Sequence, residues 1–121
     1  MRDRRSLGQR GEDLAVQHLK QVGYTILDRN VRTRYGEIDV VARDGGCIVF
    51  VEVRTVSTGL MTPEESVTMR KQRRVAALGQ AYLAQHGLAD TDWRADVVAI
   101  TVSADGNPPQ IHHIVNAIEE R

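Results

Sequence analysis

The sequence is poor in cysteine and aromatic residues, and it has no long apolar run. Its single cysteine, Cys47, excludes an internal disulfide and favours a reducing compartment. Aromatic residues make up 4% of the chain, which argues against a stacking platform for single-stranded nucleic acid. No apolar run approaches the roughly 18 residues of a membrane span, and none follows the N-terminal arginines as a signal peptide requires. We therefore expect a cytoplasmic protein that does not associate with membranes.

The sequence also lacks net charge. Its 16 basic and 16 acidic residues balance, which argues against a protein coated in positive charge for bulk nucleic-acid binding. Ten of the basic residues nevertheless lie in three short clusters: Arg2, Arg4 and Arg5; Arg29, Arg32 and Arg34; and Arg70, Lys71, Arg73 and Arg74. Local patches can bind phosphates while the total charge stays at zero. The arginines of the second and third clusters are therefore candidate nucleic-acid-binding residues, and solvated faces are the alternative.

Apolar spacing and turn residues predict the order αβββαββ. The predicted elements are a helix from a capping box at Ser6 and Gln9 to a stop at Gly23, strands at 24–33, 37–43 and 47–55, a helix from Pro63 to about His86, and strands at 93–102 and 110–115. The length of 121 residues fits one domain, 1–121, with a single core. The order indicates an α/β fold with one mixed sheet flanked by helices.

The two most apolar predicted strands each carry a carboxylate where a core residue would be expected, Asp39 in one and Glu52 in the other. If residues 45–46 form a two-residue hairpin loop, paired residue numbers sum to 91 and Asp39 lies opposite Glu52. A turn one residue earlier gives a sum of 89 and places Glu37 opposite Glu52. Because side chains alternate along a strand, both registers place residues 37, 39, 52 and 54 on one face.

Two carboxylates at facing positions favour a cation between them, since like charges there are destabilising. A hard divalent ion with oxygen ligands, Mg²⁺ or Mn²⁺, is the chemical match. The alternative is that inward-pointing charges on an edge strand prevent aggregation, with Arg54 as their neutralising partner.

Several motifs in order resemble a known family. They are similar to motifs of the YraN-like family of small bacterial proteins. The motifs are G-x-x-G-E-D-L-A (Gly8 to Ala15), G-E-I-D (Gly36 to Asp39), V-F-V-E-V (Val49 to Val53) and R-x-D-V-V-A-I (Arg94 to Ile100), together with a basic helix after a Thr-Pro cap. That family resembles the restriction-endonuclease-like superfamily, close in outline to archaeal Holliday-junction resolvases. The resemblance implies a three-layer restriction-endonuclease-like fold and a Mg²⁺- or Mn²⁺-dependent endonuclease acting on duplex or branched DNA. A homodimer would suit cleavage of two strands.

The resemblance also implies roles for individual residues. The superfamily's aspartate falls on Asp39, the acid of its E-x-K pair on Glu52, and the glutamate often found on its first helix on Glu12. Its lysine position falls on Arg54, a departure because arginine stays protonated and cannot act as a base. A catalytically inactive nucleic-acid-binding module is therefore the alternative function. A partner-binding protein, whose carboxylates pair internally with Arg54, is a third.

Lys71 is a further candidate for the site. It lies in the core-facing stripe of the second predicted helix, whose apolar members are Val67, Val75, Leu78 and Tyr82. A lysine can lose its proton when desolvated, so Lys71 would supply the function that Arg54 cannot supply as a base. The alternative is a stem packed on the core with its ammonium group extended to solvent.

Overall fold

A computed structural model of the chain describes residues 6–57, 69–103 and 105–117, and for residues 69–73 it describes the backbone alone. The elements of these ranges are α1 (Leu7–Gln21), β1 (Thr25–Thr33), β2 (Gly36–Asp44), β3 (Cys47–Ser57), α2 (Met69–Gln85), β4 (Trp93–Val102) and β5 (Gln110–Ile114). This is the predicted αβββαββ order, and the strand boundaries agree closely with prediction. Neither described helix combines the length and apolar composition needed to cross a membrane.

Local signals determine where the helices begin and end. The Ser6 hydroxyl accepts a hydrogen bond from the Gln9 amide at 3.1 Å, and the Gln9 side chain accepts one from the Ser6 amide at 3.1 Å. These reciprocal bonds form the predicted capping box of α1. The helix ends before Gly23, whose φ of +98° is a left-handed conformation that glycine adopts without steric cost. The start of α2 predicted at Pro63 lies outside the described residues.

The described strands form a mixed sheet in the order β1-β2-β3-β4-β5. Strands β1, β2 and β3 pair antiparallel, β4 runs parallel to β3, and β5 pairs antiparallel with β4. Parallel neighbours require a crossover connection, and α2 lies within the segment that joins β3 to β4. The predicted mixed sheet is confirmed.

An apolar cluster covers each face of the sheet. The first lies between α1 and the sheet and includes Ala15, Val16, Leu19, Val40, Val51, Val53 and Val98. The second lies between α2 and the sheet and includes Ile38, Val41, Phe50, Val75, Leu78 and Tyr82. One helix on each face gives the three layers predicted, and β3 lies at the centre of both clusters.

Two helical glycines let the helices pack closely on β3. A Cβ atom added at Gly11 of α1 would lie 1.9 Å from Thr55 Oγ1, and one at Gly79 of α2 would lie 2.6 Å from Phe50 Cδ2. Real Cβ atoms do not approach this closely, so a larger residue would force each helix away from the sheet. Since Gly11 precedes Glu12, its close contact with β3 sets how far the Glu12 carboxylate extends across the sheet.

We expect Gly11→Ala to destabilise the fold, with Gly8→Ala as the matched control. Alanine in a helix is normally more stabilising than glycine by about 1 kcal/mol. At Gly8 the new Cβ would lie 3.9 Å from Ser6 Oγ, an ordinary contact, so this variant should be as stable as wild type or more so. Gly11→Ala should lower the free energy of unfolding in urea by about 1–3 kcal/mol because the added group overpacks the interface. Equal stabilities of the two variants would contradict the packing argument.

Candidate metal centre

The β2–β3 hairpin brings two of the predicted acidic residues together. Its strands pair regularly as far as Val40 and Val51, with residue numbers that sum to 91 around a loop at residues 45–46. This is the first of the two predicted registers. Continued by one pair, this register would place Asp39 beside Glu52, and the interaction with Glu52 lowers the pKa of Asp39.

The alternation of β2 changes at Asp39. Ile38 packs in the cluster beneath α2, whereas Val40 packs in the cluster beneath α1. Residues two apart in a regular strand share a face, so β2 is irregular between them. At this point Asp39 Oδ2 accepts a hydrogen bond from the Val53 amide at 2.8 Å. A side chain therefore bonds the backbone of β3 next to the last regular pair, which fixes the orientation of the Asp39 carboxylate.

Three carboxylates form what we call the acidic cluster: Glu12 from α1, and Glu37 and Asp39 from β2. One oxygen of each lies within 4.8 Å of the others. Sequence reasoning placed residues 37, 39, 52 and 54 on one face, but it named only Glu12, Asp39 and Glu52 as metal ligands. Glu37 lies with Asp39 and close to Glu12 of α1, so it is a cluster member that the prediction missed. Its position in G-E-I-D, two residues from Asp39, was the available signal.

Electrostatic repulsion acts within the acidic cluster. Burial raises the pKa of Glu12, and the nearby charges of Asp39 and Glu37 raise it further. Burial also raises the pKa of Asp39, although hydrogen bonds from the Val53 amide and with Glu52 offset part of this effect. Ionising all three carboxylates is therefore unfavourable unless a cation accompanies them. Oxygen donors grouped in this way match the preference of Mg²⁺ and Mn²⁺.

Glu52 and Arg54 form an ion pair beside Asp39. The Arg54 Nη2 lies 2.8 Å from Glu52 Oε1, and both side chains are largely buried. Within the described part of the chain, the buried Arg54 Nε has no hydrogen-bond partner. The guanidinium thus holds Glu52, which is the neutralising contact expected from the alternative to a metal site. Whether Glu52 also binds a metal stays a prediction.

Arginines of the second basic cluster line the acidic site. Arg29 Nη2 lies 2.7 Å from Asp13 and 4.0 Å from Glu12, and Arg32 Nε lies 3.2 Å from Glu37. An open cleft of about 390 Å³ beside the acidic cluster is lined by Gln9, Glu12, Asp13, Arg29, Asn30, Arg32 and Glu37. These arginines reduce the negative charge at the rim, and the cleft gives solvent access to two of the three carboxylates.

Two further predicted basic residues, Arg34 and Arg74, lie on or near the β1–β2 turn. The Arg34 guanidinium lies over the ring of Tyr35, 4.9 Å from its centroid. Arg74 of α2 is exposed and lies beside Gly36, because a Cβ added there would be 3.1 Å from Arg74 Cδ. Arg70 and Arg73 were predicted to bind nucleic acid, and Lys71 was predicted to reach the catalytic site. The side chains of these three residues lie outside the part of the chain that the structure describes.

Comparison with protein families identifies the family. The model of the uncharacterised protein family UPF0102 matches residues 11–100. The chain belongs to UPF0102. A UPF0102 protein of Geobacter sulfurreducens is 48% identical over 114 residues, which cover 93% of this chain and 88% of that protein. One from Rhodococcus opacus is 45% identical over 113 residues, which cover 93% and 95%. These matches confirm the predicted family resemblance.

The UPF0102 chain is also similar to a solved structure, described as the EndoMS-dsDNA2 complex. The TM-score is 0.44 and the sequence identity is 17%. The match covers 78% of this chain and 38% of the other, so the UPF0102 chain spans well under half of that protein.

A second buried charge in the UPF0102 chain was not predicted. Asp96 of β4 is fully buried and accepts hydrogen bonds from Arg94 Nε at 3.0 Å, His113 Nε2 at 2.8 Å and the Asn116 amide at 2.9 Å. Burial alone would raise the pKa of Asp96, but the hydrogen bonds from His113, the Asn116 amide and Arg94 lower it. His18 Nε2 of α1 lies 3.1 Å from His113 Nδ1 and extends the network. We call these residues the Asp96 network.

The buried Asp96 and the partly buried acidic cluster differ in how their charges are satisfied. Asp96 receives its donors from the protein, which suits a structural role. A carboxylate inside the apolar R-x-D-V-V-A-I strand was the available sequence signal. The acidic cluster concentrates negative charge with fewer protein donors, which suits a site that binds a cation. Among the described residues, the acidic cluster is a group of carboxylates whose oxygens lie close enough together to hold a metal ion.

We expect Glu12→Gln to stabilise the metal-free protein at neutral pH. The folded state raises the pKa of Glu12, so ionised Glu12 costs stability as the pH rises above its unfolded value of about 4.5. In chelator, Glu12→Gln should melt at a higher temperature than wild type at pH 7. The difference should disappear below about pH 4, where Glu12 is protonated in both states.

The matched control for this measurement is Asp13→Asn. Asp13 is the adjacent carboxylate, lies outside the acidic cluster and forms a 2.7 Å ion pair with Arg29. Its replacement should leave the melting temperature at pH 7 unchanged or lower. If Glu12→Gln melts below wild type at pH 7, repulsion within the cluster does not control its stability.

Proposed function

We propose that this UPF0102 protein is a Mg²⁺- or Mn²⁺-dependent nuclease that cleaves phosphodiester bonds in duplex or branched DNA. The observation that carries the proposal is the approach of three carboxylate oxygens, from Glu12, Glu37 and Asp39, to within 4.8 Å of one another. Arginines beside the same cleft supply positive charge that suits a phosphate backbone. The order of the motifs along the chain supports the same reaction class.

The donor set fits a hard divalent cation. All three groups are carboxylates, and Mg²⁺ and Mn²⁺ prefer oxygen donors. Asp39 is held by the Val53 amide, so its second oxygen has a defined direction. Glu12 and Glu37 line the open cleft, where water molecules could complete the coordination of an ion.

Each residue near the acidic cluster would have a separate role. Glu12, Glu37 and Asp39 would hold the ion, which when bound lowers the pKa of water and stabilises negative charge on the phosphate. Glu52 would fix the Arg54 guanidinium through their 2.8 Å ion pair. The Arg54 side chain is partly exposed, so its guanidinium would then offer positive charge to a phosphate oxygen. Arg54 cannot remove a proton from water, so Lys71 is the residue we propose for that role.

One observation favours a second candidate, an inactive nucleic-acid-binding module. Arg54 occupies the position where the superfamily has a lysine, and it forms an ion pair with Glu52. A permanent cation at this point would preserve phosphate binding while removing a base. The two candidates share a metal centre and differ in cleavage.

We expect Mn²⁺ to bind wild type and to bind Asp39→Asn and Glu12→Gln at least tenfold more weakly, because each loses a charged ligand. Titration calorimetry measures the affinity, and a rise in melting temperature with Mn²⁺ concentration provides a second measure. The control is Asp90→Asn, since Asp90 is exposed and lies outside the acidic cluster. Equal Mn²⁺ affinity in all four proteins would contradict the proposal that Glu12 and Asp39 bind the metal ion.

We expect Arg54→Lys to increase Mn²⁺-dependent cleavage of duplex or branched DNA and Arg54→Ala to decrease it. Lysine restores a group that can lose a proton, whereas alanine removes the charge beside the phosphate. Lys71→Met should reduce cleavage at least tenfold, about 1.4 kcal/mol at the transition state, and rescue by Lys71→Arg would limit Lys71 to an electrostatic role. Metal binding without cleavage by any variant would favour the binding module.

A further inference from the structure

Tyr35, in the β1–β2 turn, is the most exposed large apolar residue among those described, with 69% of its surface accessible. A single exposed aromatic residue is common on protein surfaces and needs no ligand to explain it. The hydrogen bonds of its turn, the guanidinium on its ring and its proximity to the acidic cluster give three independent reasons to assign Tyr35 a function.

The first reason is that the turn holds Tyr35 rigidly. Thr33 Oγ1 accepts a hydrogen bond from the Tyr35 amide at 3.1 Å and donates one to the Gly36 carbonyl at 3.1 Å. Gly36 has a φ of +151°, and a Cβ there would lie 3.1 Å from both Arg74 Cδ and Leu78 Cδ1. The turn therefore packs directly on α2. An aromatic ring on a fixed backbone loses little conformational entropy when it binds a ligand.

The second reason is the cation on the ring. The Arg34 guanidinium lies 4.9 Å from the centroid of Tyr35. A guanidinium over an aromatic ring is stabilised by the ring quadrupole. Since most of the residue is nevertheless accessible, the ring retains surface on which one planar group can stack. A nucleobase is a planar group that can stack on such a ring, and the arginines proposed to bind its phosphates lie nearby.

The third reason is distance from the acidic cluster. Tyr35 is two residues from Glu37, a span of about 7 Å in extended chain. Arg32 on the other side of the turn is bonded to Glu37 at 3.2 Å. A base stacked on Tyr35 would consequently bring its own phosphates, or those of the next nucleotide, to the cleft.

We propose that Tyr35 stacks on a single unpaired nucleobase, and that the site therefore selects DNA with an unpaired base over continuous duplex. This inference rests on the proposed function. In continuous duplex both faces of an internal base are covered by its neighbours, so an aromatic side chain has no free face to contact. At a bulge, branch or mismatch a base can leave the helical stack, and its exposed face can then stack on the Tyr35 ring. One aromatic residue suffices for one base, although it does not form a platform.

The test compares two duplexes of equal length, one continuous and one with a central unpaired 2-aminopurine. Binding to the full chain is measured with Ca²⁺ in place of Mg²⁺. Wild type should bind the bulged duplex about tenfold more tightly, since stacking of one base contributes on the order of tenfold or more. Fluorescence of 2-aminopurine should fall as it stacks. Tyr35→Ala should lose both effects, whereas Tyr35→Phe and Tyr35→Trp should retain them.

Two controls separate this inference from the proposed function. Val115→Ala removes another exposed apolar residue and should keep the preference for the bulged duplex. Tyr35→Ala should bind Mn²⁺ as wild type does, because the ring is not a metal ligand. Equal affinity of wild type for both duplexes, or a preference unchanged in Tyr35→Ala, would overturn the role of Tyr35 and leave the metal centre intact. Failure to bind either duplex, with or without the metal ion, would overturn both proposals.

Discussion

A carboxylate buried between a sheet and a helix must be satisfied by hydrogen-bond donors, by an opposite charge or by a proton. Asp96 meets this requirement with donors from Arg94, His113 and a backbone amide. The acidic cluster meets it only in part, because the charges of Asp39 and Glu37 raise the pKa of Glu12 and the charge of Glu37 raises that of Asp39. The same constraint thus gives one carboxylate that protein donors satisfy and one group in which negative charge remains concentrated.

The acidic cluster depends on two departures from regular structure. Gly11 removes the side chain that would separate α1 from β3, which lets the next residue, Glu12, extend over the sheet. Asp39 uses a carboxylate oxygen to bond the Val53 amide where regular pairing ends, which orients its carboxylate beside that of Glu37. Glu37 and Asp39 are two residues apart in β2, and Glu12 approaches both of them from α1.

Most of the fold could be predicted because its signals are local. The capping box at Ser6, the two-residue loop at 45–46 and the apolar runs each specify a boundary or a register from a few neighbouring residues. Glu37 was missed as a cluster member because the prediction took the ligands on the sheet from the two facing carboxylates, Asp39 and Glu52. The Asp96 network was also missed because His18 and His113 are 95 residues apart, and no periodicity connects them.

That separation gives the Asp96 network a consequence for the whole chain. His18 belongs to α1 and His113 to β5, so their contact closes a loop of 95 residues in a chain of 121. Closing so long a loop costs entropy that neighbouring contacts do not recover until the intervening strands are in place. The Asp96 network therefore joins α1 to β5 through β4. Removal of β5 would take His113 away from Asp96 and leave that carboxylate without its histidine donor.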